Sequence, residues 1–458
     1  MTIKKQAVRK TARSISLDIL EQVLQGGAYA NLALDKALNR SGLSAADRAL
    51  TTELVNGVVR MSKHLDWVLQ LFLARKGKPL HSRVRLVLLL GIYQILFLER
   101  IPVYAAINES VELVRRDQPG AAGLVNGLLR NVERGKNSLA YPDRNQDLTA
   151  YFSVYYSHPE WMVRRWLDRW GPELTEKLLQ FNNSPAPLSI RANRLKTDRN
   201  ALLERLEAEG VTAVSGTLSP DCLVLKGLPG PITGLASYQE GLYYIQGEAT
   251  MLIAPALRPA PGDQVYDLCA GVGGKSTHLA ELMDNRGAVR AVDLYEHKTR
   301  LLEENLKRLG ITIVTGVAAD LLTLDPGGKP ADSVLLDAPC SGLGVLRRRA
   351  DLRWRKTPEA IAEMANLQRT MLEQAARLVR QGGSLLYATC SLEPEENEAV
   401  TNAFLASNPD FEPANLAERL SADLDETFGT IARERGQLTV FPPVFGADGM
   451  YLALMRRR

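Results

Sequence analysis

Two of the chain's four cysteines stand where a nucleophile could work. Cys340 closes Asp337-Ala338-Pro339-Cys340 directly after the apolar run Val334-Leu335-Leu336, and Cys390 closes Thr389-Cys390 after Leu385-Leu386-Tyr387-Ala388. Short apolar runs bounded by Gly, Pro, Ser and Asp read as strands that end in turns. If both are parallel members of one open sheet, both thiols project into the crevice at the carboxyl ends of the strands, where such sheets bind ligands. A thiol placed there can attack an electrophilic carbon and split one difficult step into two. A lone free cysteine is more often a buried, inert residue; two at strand ends tip the reading towards chemistry. Cys222, Cys269, Cys340 and Cys390 are too dispersed for a zinc site and too few for a disulfide framework. That composition implies no metal and a reducing, cytoplasmic setting.

A second motif lies upstream. Asp267-Leu268-Cys269-Ala270-Gly271-Val272-Gly273-Gly274-Lys275-Ser276-Thr277 follows one strand and opens a helix, and Asp293 ends the next strand, placed to bind a ribose diol. A phosphate-binding P-loop needs glycine where Cys269 stands, and the dinucleotide fingerprint begun by Gly271-Val272-Gly273 fails at Ser276. Asp320 and Asp337, at further strand ends, crowd the same rim. Acids suit ribose hydroxyls, an adenine amino group or a sulfonium, and they repel a pyrophosphate. The crevice therefore reads as an S-adenosyl-L-methionine site.

The elements that must carry these residues alternate in type. Strands are expected at 264–268, 288–292, 311–314, 334–336 and 385–388, with helices such as 295–309 and 358–380 between them, which predicts a parallel doubly wound sheet. Residues 12–135 instead show three- and four-residue apolar spacing, an all-α pattern. A linker is expected at 137–145, which contains Pro142. It is followed by an amphipathic helix with Trp161, Trp166 and Trp170 and a small α+β module containing the stretch 188–193, a helix at 199–209 and strands around 222–225. The domains are thus 1–140, 141–246 and 247–458.

With 45% hydrophobic residues the chain can build real cores. Its net charge of +4 is uneven: residues 1–140 hold 21 Lys and Arg against 11 Asp and Glu, while the remainder holds 35 against 41. A basic amino-terminal part suits a polyanionic partner. The longest apolar stretch, the 13 residues 86–98, is too short to span a bilayer and reads as a buried helix, and the first residues lack a signal core, so no membrane partner is expected. Nothing demands more than a monomer.

The cysteine pair, the Gly-rich loop, Asp293, Asp320, Asp337-Ala338-Pro339-Cys340-Ser341-Gly342 and Thr389-Cys390-Ser391 followed by Glu395-Glu396-Asn397-Glu398 together resemble the RNA cytosine-C5 methyltransferases of the NOL1/NOP2/Sun family. The bacterial small-subunit ribosomal RNA methyltransferase B group (Sun/Fmu) is the most similar branch. The resemblance implies a multidomain fold: an all-α NusB-like amino-terminal domain, a small α+β RNA-binding module and an α/β Rossmann-like class I methyltransferase core. It implies methyl transfer from S-adenosyl-L-methionine to C5 of a specific cytosine of 16S ribosomal RNA, cytosine 967 in the family's name. Cys390 is then the nucleophile that adds to C6, Cys340 assists product release, and Asp337 faces the base edge at N3. Cys269, Ala270, Gly271, Val272, Gly273, Gly274, Lys275, Asp293, Asp320 and Asp337 are the implied cofactor residues.

This chain departs from the family pattern in two places. The loop carries Gly271-Val272 where the family commonly has Ala-Pro, which leaves the loop's conformation open. The basic run Arg347-Arg348-Arg349-Ala350-Asp351 lacks the family's proline, which leaves the local turn open. Arg347, Arg348, Arg349, Arg353, Trp354, Arg355 and Lys356 read as an RNA-binding run, with cations for phosphates and an indole for stacking. A C5 atom must be unstacked to meet a thiol, so a single-stranded or flipped cytosine is expected. Two other readings compete: a nicotinamide-dependent oxidoreductase, opposed by Ser276 and the acidic rim, and an RNA-binding transcription-complex factor with a vestigial core, opposed by the intact cysteine pair.

Overall fold

The computed structural model describes residues 10–73, 80–324, 330–420 and 426–458. Packing divides the chain into two compact units. The first runs through Ser184 and takes in Leu346–Arg355; the second comprises Pro185–Val345 and Lys356–Arg458.

The first unit is all helical. It contains α1 (Ala12–Leu24), α2 (Ala30–Asn39), α3 (Ala45–Arg60), α4 (Ser62–Phe72), α5 (Ser82–Phe97), α6 (Val103–Asp117), α7 (Ala122–Gly135), α8 (Leu148–Tyr155) and α9 (Glu160–Asn183). Helix starts follow capping chemistry: Thr11 and Ser14 form a reciprocal capping box on α1, and the Ser44 hydroxyl accepts from Asp47 N on α3. The core gathers Leu17, Leu20, Val55, Val58, Leu65, Leu86, Leu90 and Leu129. The long apolar stretch is α5, buried along most of its length as an all-round apolar helix must be. Among the described residues no helix is long and apolar enough to cross a membrane. The expected linker holds a short 3-10 turn at Lys136–Ser138, and the Trp-bearing α9 bends at Gly171 (φ 72°) before Pro172. Both α8 and α9 pack with the helical unit, whose packing boundary falls at Ser184.

The second unit contains two sheets. The smaller is antiparallel, ordered β2-β3-β1-β4 with β1 (Leu188–Ala192), β2 (Thr212–Ser215), β3 (Cys222–Gly227) and β4 (Tyr243–Ile245), and carries the Arg199–Ala208 helix. Its β1 residue Arg191 is fully buried and pairs with Glu281 of the second sheet's first helix at 2.7 Å. The larger sheet has β5 (Gln264–Asp267), β6 (Ala288–Asp293), β7 (Val314–Ala318), β8 (Ala331–Asp337), β9 (Val379–Thr389), β10 (Phe411–Pro413), β11 (Gln437–Val440) and β12 (Met450–Arg457). The order is β10-β12-β9-β8-β5-β6-β7, with β11 also paired to β12.

The sheet corrects the sequence reading twice. It is mixed rather than wholly parallel, because β12 runs antiparallel to β9, β10 and β11. The third strand begins at Val314, not Ile311: Gly310 (φ 76°) ends the preceding Glu296–Leu309 helix and Ile311 N donates to Leu306 O at 3.0 Å, so Ile311 belongs to the helix's closing turn. Strand order reverses at β5, which has β8 on one side and β6 on the other. That switch point opens the crevice in which the candidate residues meet.

Candidate active site

The two cysteines meet because of strand register. Strands β8 and β9 are parallel neighbours with Asp337 beside Ala388, and Ala338 N donates to Ala388 O at 2.9 Å, so the loops leave the sheet together. Cys340 Sγ then lies 3.2 Å from Cys390 Sγ, and both thiols are half-buried. A proton between two such sulfurs cannot favour both. Donation from Cys340 to Cys390 lowers the Cys390 pKa, aided by the Lys275 ammonium and opposed by burial and by Asp337. The same hydrogen bond raises Cys340, with burial acting in the same direction. The pair therefore favours a thiolate on Cys390 and a thiol on Cys340.

Lys275 and Asp337 face the same crevice as a close ion pair. Burial works against the charged Lys275, but the Asp337 carboxylate overcomes it and holds the ammonium protonated. The Gly-rich loop links β5 to the Gly274–Leu282 helix. Gly271 (φ 60°) and Gly273 (φ 92°) both need left-handed backbone, and a Cβ on Gly273 would stand 2.2 Å from Leu302 Cδ1. Asp293, at the end of β6, is buried; it accepts from Gly271 N at 2.9 Å and Tyr295 N at 3.0 Å and pairs with Lys298 at 3.1 Å. Asp320 is exposed just past β7 and accepts from Leu322 N at 2.9 Å. Acids thus stand at or just past the ends of β6, β7 and β8, around a loop whose Gly271, Gly273 and Gly274 carry no side chain. This donor set fits a cationic nucleoside such as S-adenosyl-L-methionine.

Three family models match the chain: 16S rRNA methyltransferase RsmB/F over residues 254–456, the NusB family over 10–134, and the RsmF/B-like methyltransferase ferredoxin-like domain over 158–232. The probable ribosomal RNA small subunit methyltransferase B of Bacillus subtilis is 38% identical, the alignment covering 98% of this chain and 100% of that protein. The chain belongs to the ribosomal RNA small subunit methyltransferase B family. The Klebsiella pneumoniae protein of that name is 34% identical over 97% of this chain and 98% of its own. One crystal structure matches over 100% of both chains with a TM-score of 0.78 at 28% identity. A methyltransferase homologue from Pyrococcus horikoshii covers 68% of this chain and 100% of its own with a TM-score of 0.59 at 29% identity.

Family membership makes the chain an S-adenosylmethionine-dependent RNA methyltransferase, with a NusB domain, a ferredoxin-like module and a Rossmann-like core. In this member of the methyltransferase B family, Cys269 lies in the loop, where burial and then Asp337 push its thiol pKa up. Ser276, which breaks the dinucleotide fingerprint, has a structural reason: its hydroxyl donates at 2.6 Å to Asp267, a fully buried acid whose pKa burial pushes up to about 6.

The basic run is not one surface. Arg353 is fully buried in the helical unit, donating to Ser157 O at 3.0 Å, Asn183 Oδ1 at 2.9 Å and Asn182 O at 3.3 Å. Trp354 Nε1 donates to Val59 O at 2.7 Å, and Ala350 joins that unit's core. Arg355 lies 4.0 Å over the Tyr29 ring and Arg347 lies 4.5 Å over Phe181. The expectation that all seven residues contact RNA fails for Arg353, whose guanidinium is sealed from solvent. Arg348 is exposed, while Arg347, Arg349, Trp354, Arg355 and Lys356 are half-buried. Sequence reasoning gave no role to Glu396, Gln368 and Asn397, which lie behind the cysteines; Glu396 and Asn397 follow Thr389-Cys390-Ser391 closely in sequence, whereas Gln368, on the Pro358–Arg377 helix, gave no local signal.

Proposed function

We propose that this chain transfers the methyl group of S-adenosyl-L-methionine to C5 of one cytosine, cytosine 967, in 16S ribosomal RNA, through a covalent bond from Cys390 to C6. The observation that carries the reading is the contact between two thiols of opposite tendency at the mouth of a nucleoside crevice. Cytosine C5 is a poor nucleophile. When the Cys390 sulfur donates its electron pair to C6, the C5–C6 double bond moves its electrons towards C5, and the ring becomes an enamine.

The bound cofactor supplies an electrophilic methyl on a sulfonium. Gly271 and Gly273 let the backbone approach it, while Asp293 and Asp320 suit its ribose and adenine. The Lys275–Asp337 pair, beside Cys390, gives the base edge at N3 a hydrogen bond that stabilises the enamine. Once C5 carries the methyl, transfer of the C5 proton to a water molecule leaves its C–H electron pair to re-form the C5–C6 double bond, and the sulfur–C6 bond breaks with its electron pair returning to Cys390. Cys340, whose sulfur lies 3.2 Å from that sulfur, then donates its S–H to the departing thiolate and stabilises it.

The test uses Cys340→Ala and Cys390→Ala proteins incubated with S-adenosylmethionine and unmodified small-subunit ribosomal RNA, followed by a denaturing gel. An adduct with Cys340→Ala that vanishes when Cys390 is also replaced is the expected result. Methyl transfer that survives loss of Cys390 would sink the covalent reading, and mapping the modified nucleotide tests the choice of cytosine.

A further inference from the structure

A buried carboxylate behind the thiols takes no part in these steps. Glu396 is fully buried, and its oxygens accept from four uncharged donors. Oε1 receives Ser341 N at 2.7 Å and Gln368 Nε2 at 3.1 Å, and Oε2 receives the hydroxyls of Ser341 and Ser391. Removing a carboxylate from water without a cation beside it is costly, so stability alone is a poor reason for its presence.

Its partners are the residues that follow the two cysteines. Ser341 follows Cys340, Ser391 follows Cys390, and their hydroxyls meet at 3.0 Å. Gln368 also donates to Pro339 O at 2.8 Å, so Cys340 is held from both sides. Thr389 Oγ1 donates to Asn397 Oδ1 at 2.6 Å and Asn397 Nδ2 donates to Ser391 O at 3.0 Å, so Cys390 is held likewise. The Tyr387 hydroxyl, donating to Glu396 O at 2.6 Å, ties the Glu396–Asn397 turn to β9.

We propose that Glu396 is the positioning residue of the thiol pair: by clamping Ser341 and Ser391 it sets the Cys340–Cys390 contact on which nucleophile activation and product release depend. This rests on the covalent reading above. The clamp also opposes the chemistry it arranges, since the negative charge of Glu396 raises both thiols. A carboxamide separates the two effects. Its oxygen can serve Ser341 N and Gln368, and its NH2 can donate to the serine hydroxyls, which also accept.

The experiment compares Glu396→Gln and Glu396→Ala in the full chain by two readouts. The first is closure of a Cys340–Cys390 disulfide by diamide, which takes one hydrogen from each thiol and becomes a hydrazine. The second is the pH profile of methyl transfer. Glu396→Ala should close the disulfide about tenfold more slowly and lose about a hundredfold in kcat, with KM for S-adenosylmethionine unchanged. Glu396→Gln should close it at least as fast as wild type, recover most of kcat and move the acid limb to lower pH. If Glu396→Ala does not fold, Ser391→Ala, which removes one of the four donors, should show the same changes more weakly. Wild-type disulfide closure in a folded Glu396→Ala or Ser391→Ala protein overturns the proposal, as does a Glu396→Gln protein as impaired as Glu396→Ala. Methyl transfer surviving in Cys390→Ala would instead overturn the nucleophile reading and leave the disulfide rates as a separate test of the clamp.

Discussion

Cys340 Sγ and Cys390 Sγ are 3.2 Å apart although 50 residues separate them in sequence, close enough for one thiol to hydrogen-bond the other. The hydrogen bond from Cys340 is the largest influence lowering Cys390. Replacing Cys340 by Ala removes that donor, so the Cys390 pKa rises and less thiolate exists at a given pH. The acid limb of Cys390 alkylation by iodoacetamide should move to higher pH, towards or beyond the free-thiol value of about 8.5. An unmoved limb would mean that the contact does not activate the nucleophile.

Asp267 makes a separate pH prediction, about stability. Burial raises its pKa from 3.8 to about 6 in the fold. Between those values the folded chain binds more protons than the unfolded one, so this group's contribution is fully present below pH 3.8 and is lost as pH rises through about 6. The full difference is about 3 kcal/mol. Asp267→Asn keeps an acceptor for Ser276 and removes the titration, so its stability relative to wild type should rise across that window. Denaturant midpoints at several pH values measure this, and a constant difference would contradict it.

The parts of the site legible in sequence were those carried by local motifs. Gly271 and Gly273 announced a close backbone approach, and Cys340 and Cys390 each stood at the end of an apolar run. What the sequence could not show was set by partners far along the chain. The burial of Arg353 depends on carbonyls of Ser157 and Asn182, and nothing in a run of arginines tells a sealed guanidinium from a solvated one. The apolar stretch in Met450–Arg457 was not among the expected strands, and its antiparallel pairing to β9 is a fact of topology, not pattern. Glu396 looked like one acid among several because its role depends on two loops meeting above it.

The glycine cradle can be tested by filling it. Gly273→Ala puts a Cβ into Leu302 and forces an L residue to a φ of 92°, so both contact and backbone resist. The expected cost is about 1–3 kcal/mol, read as a lower Tm, together with weaker S-adenosylmethionine binding by titration calorimetry. Unchanged binding with lowered Tm would show that the loop is strained for packing and not for the cofactor.

The basic run should separate into two roles. Arg353→Ala strips donors from the buried carbonyls of Ser157 and Asn182, so the helical unit should lose about 3 kcal/mol or more and unfold earlier. Arg348 is exposed, so its contacts are screened by solvent, and Arg348→Ala should lower Tm far less than Arg353→Ala while weakening RNA binding and reducing the slope of log affinity against log salt by about 1. The discriminating measurement is that salt series beside a thermal melt for each variant. Equal losses of Tm in both would place Arg348 in the fold's interior network, and an unchanged salt slope would remove it from the RNA surface.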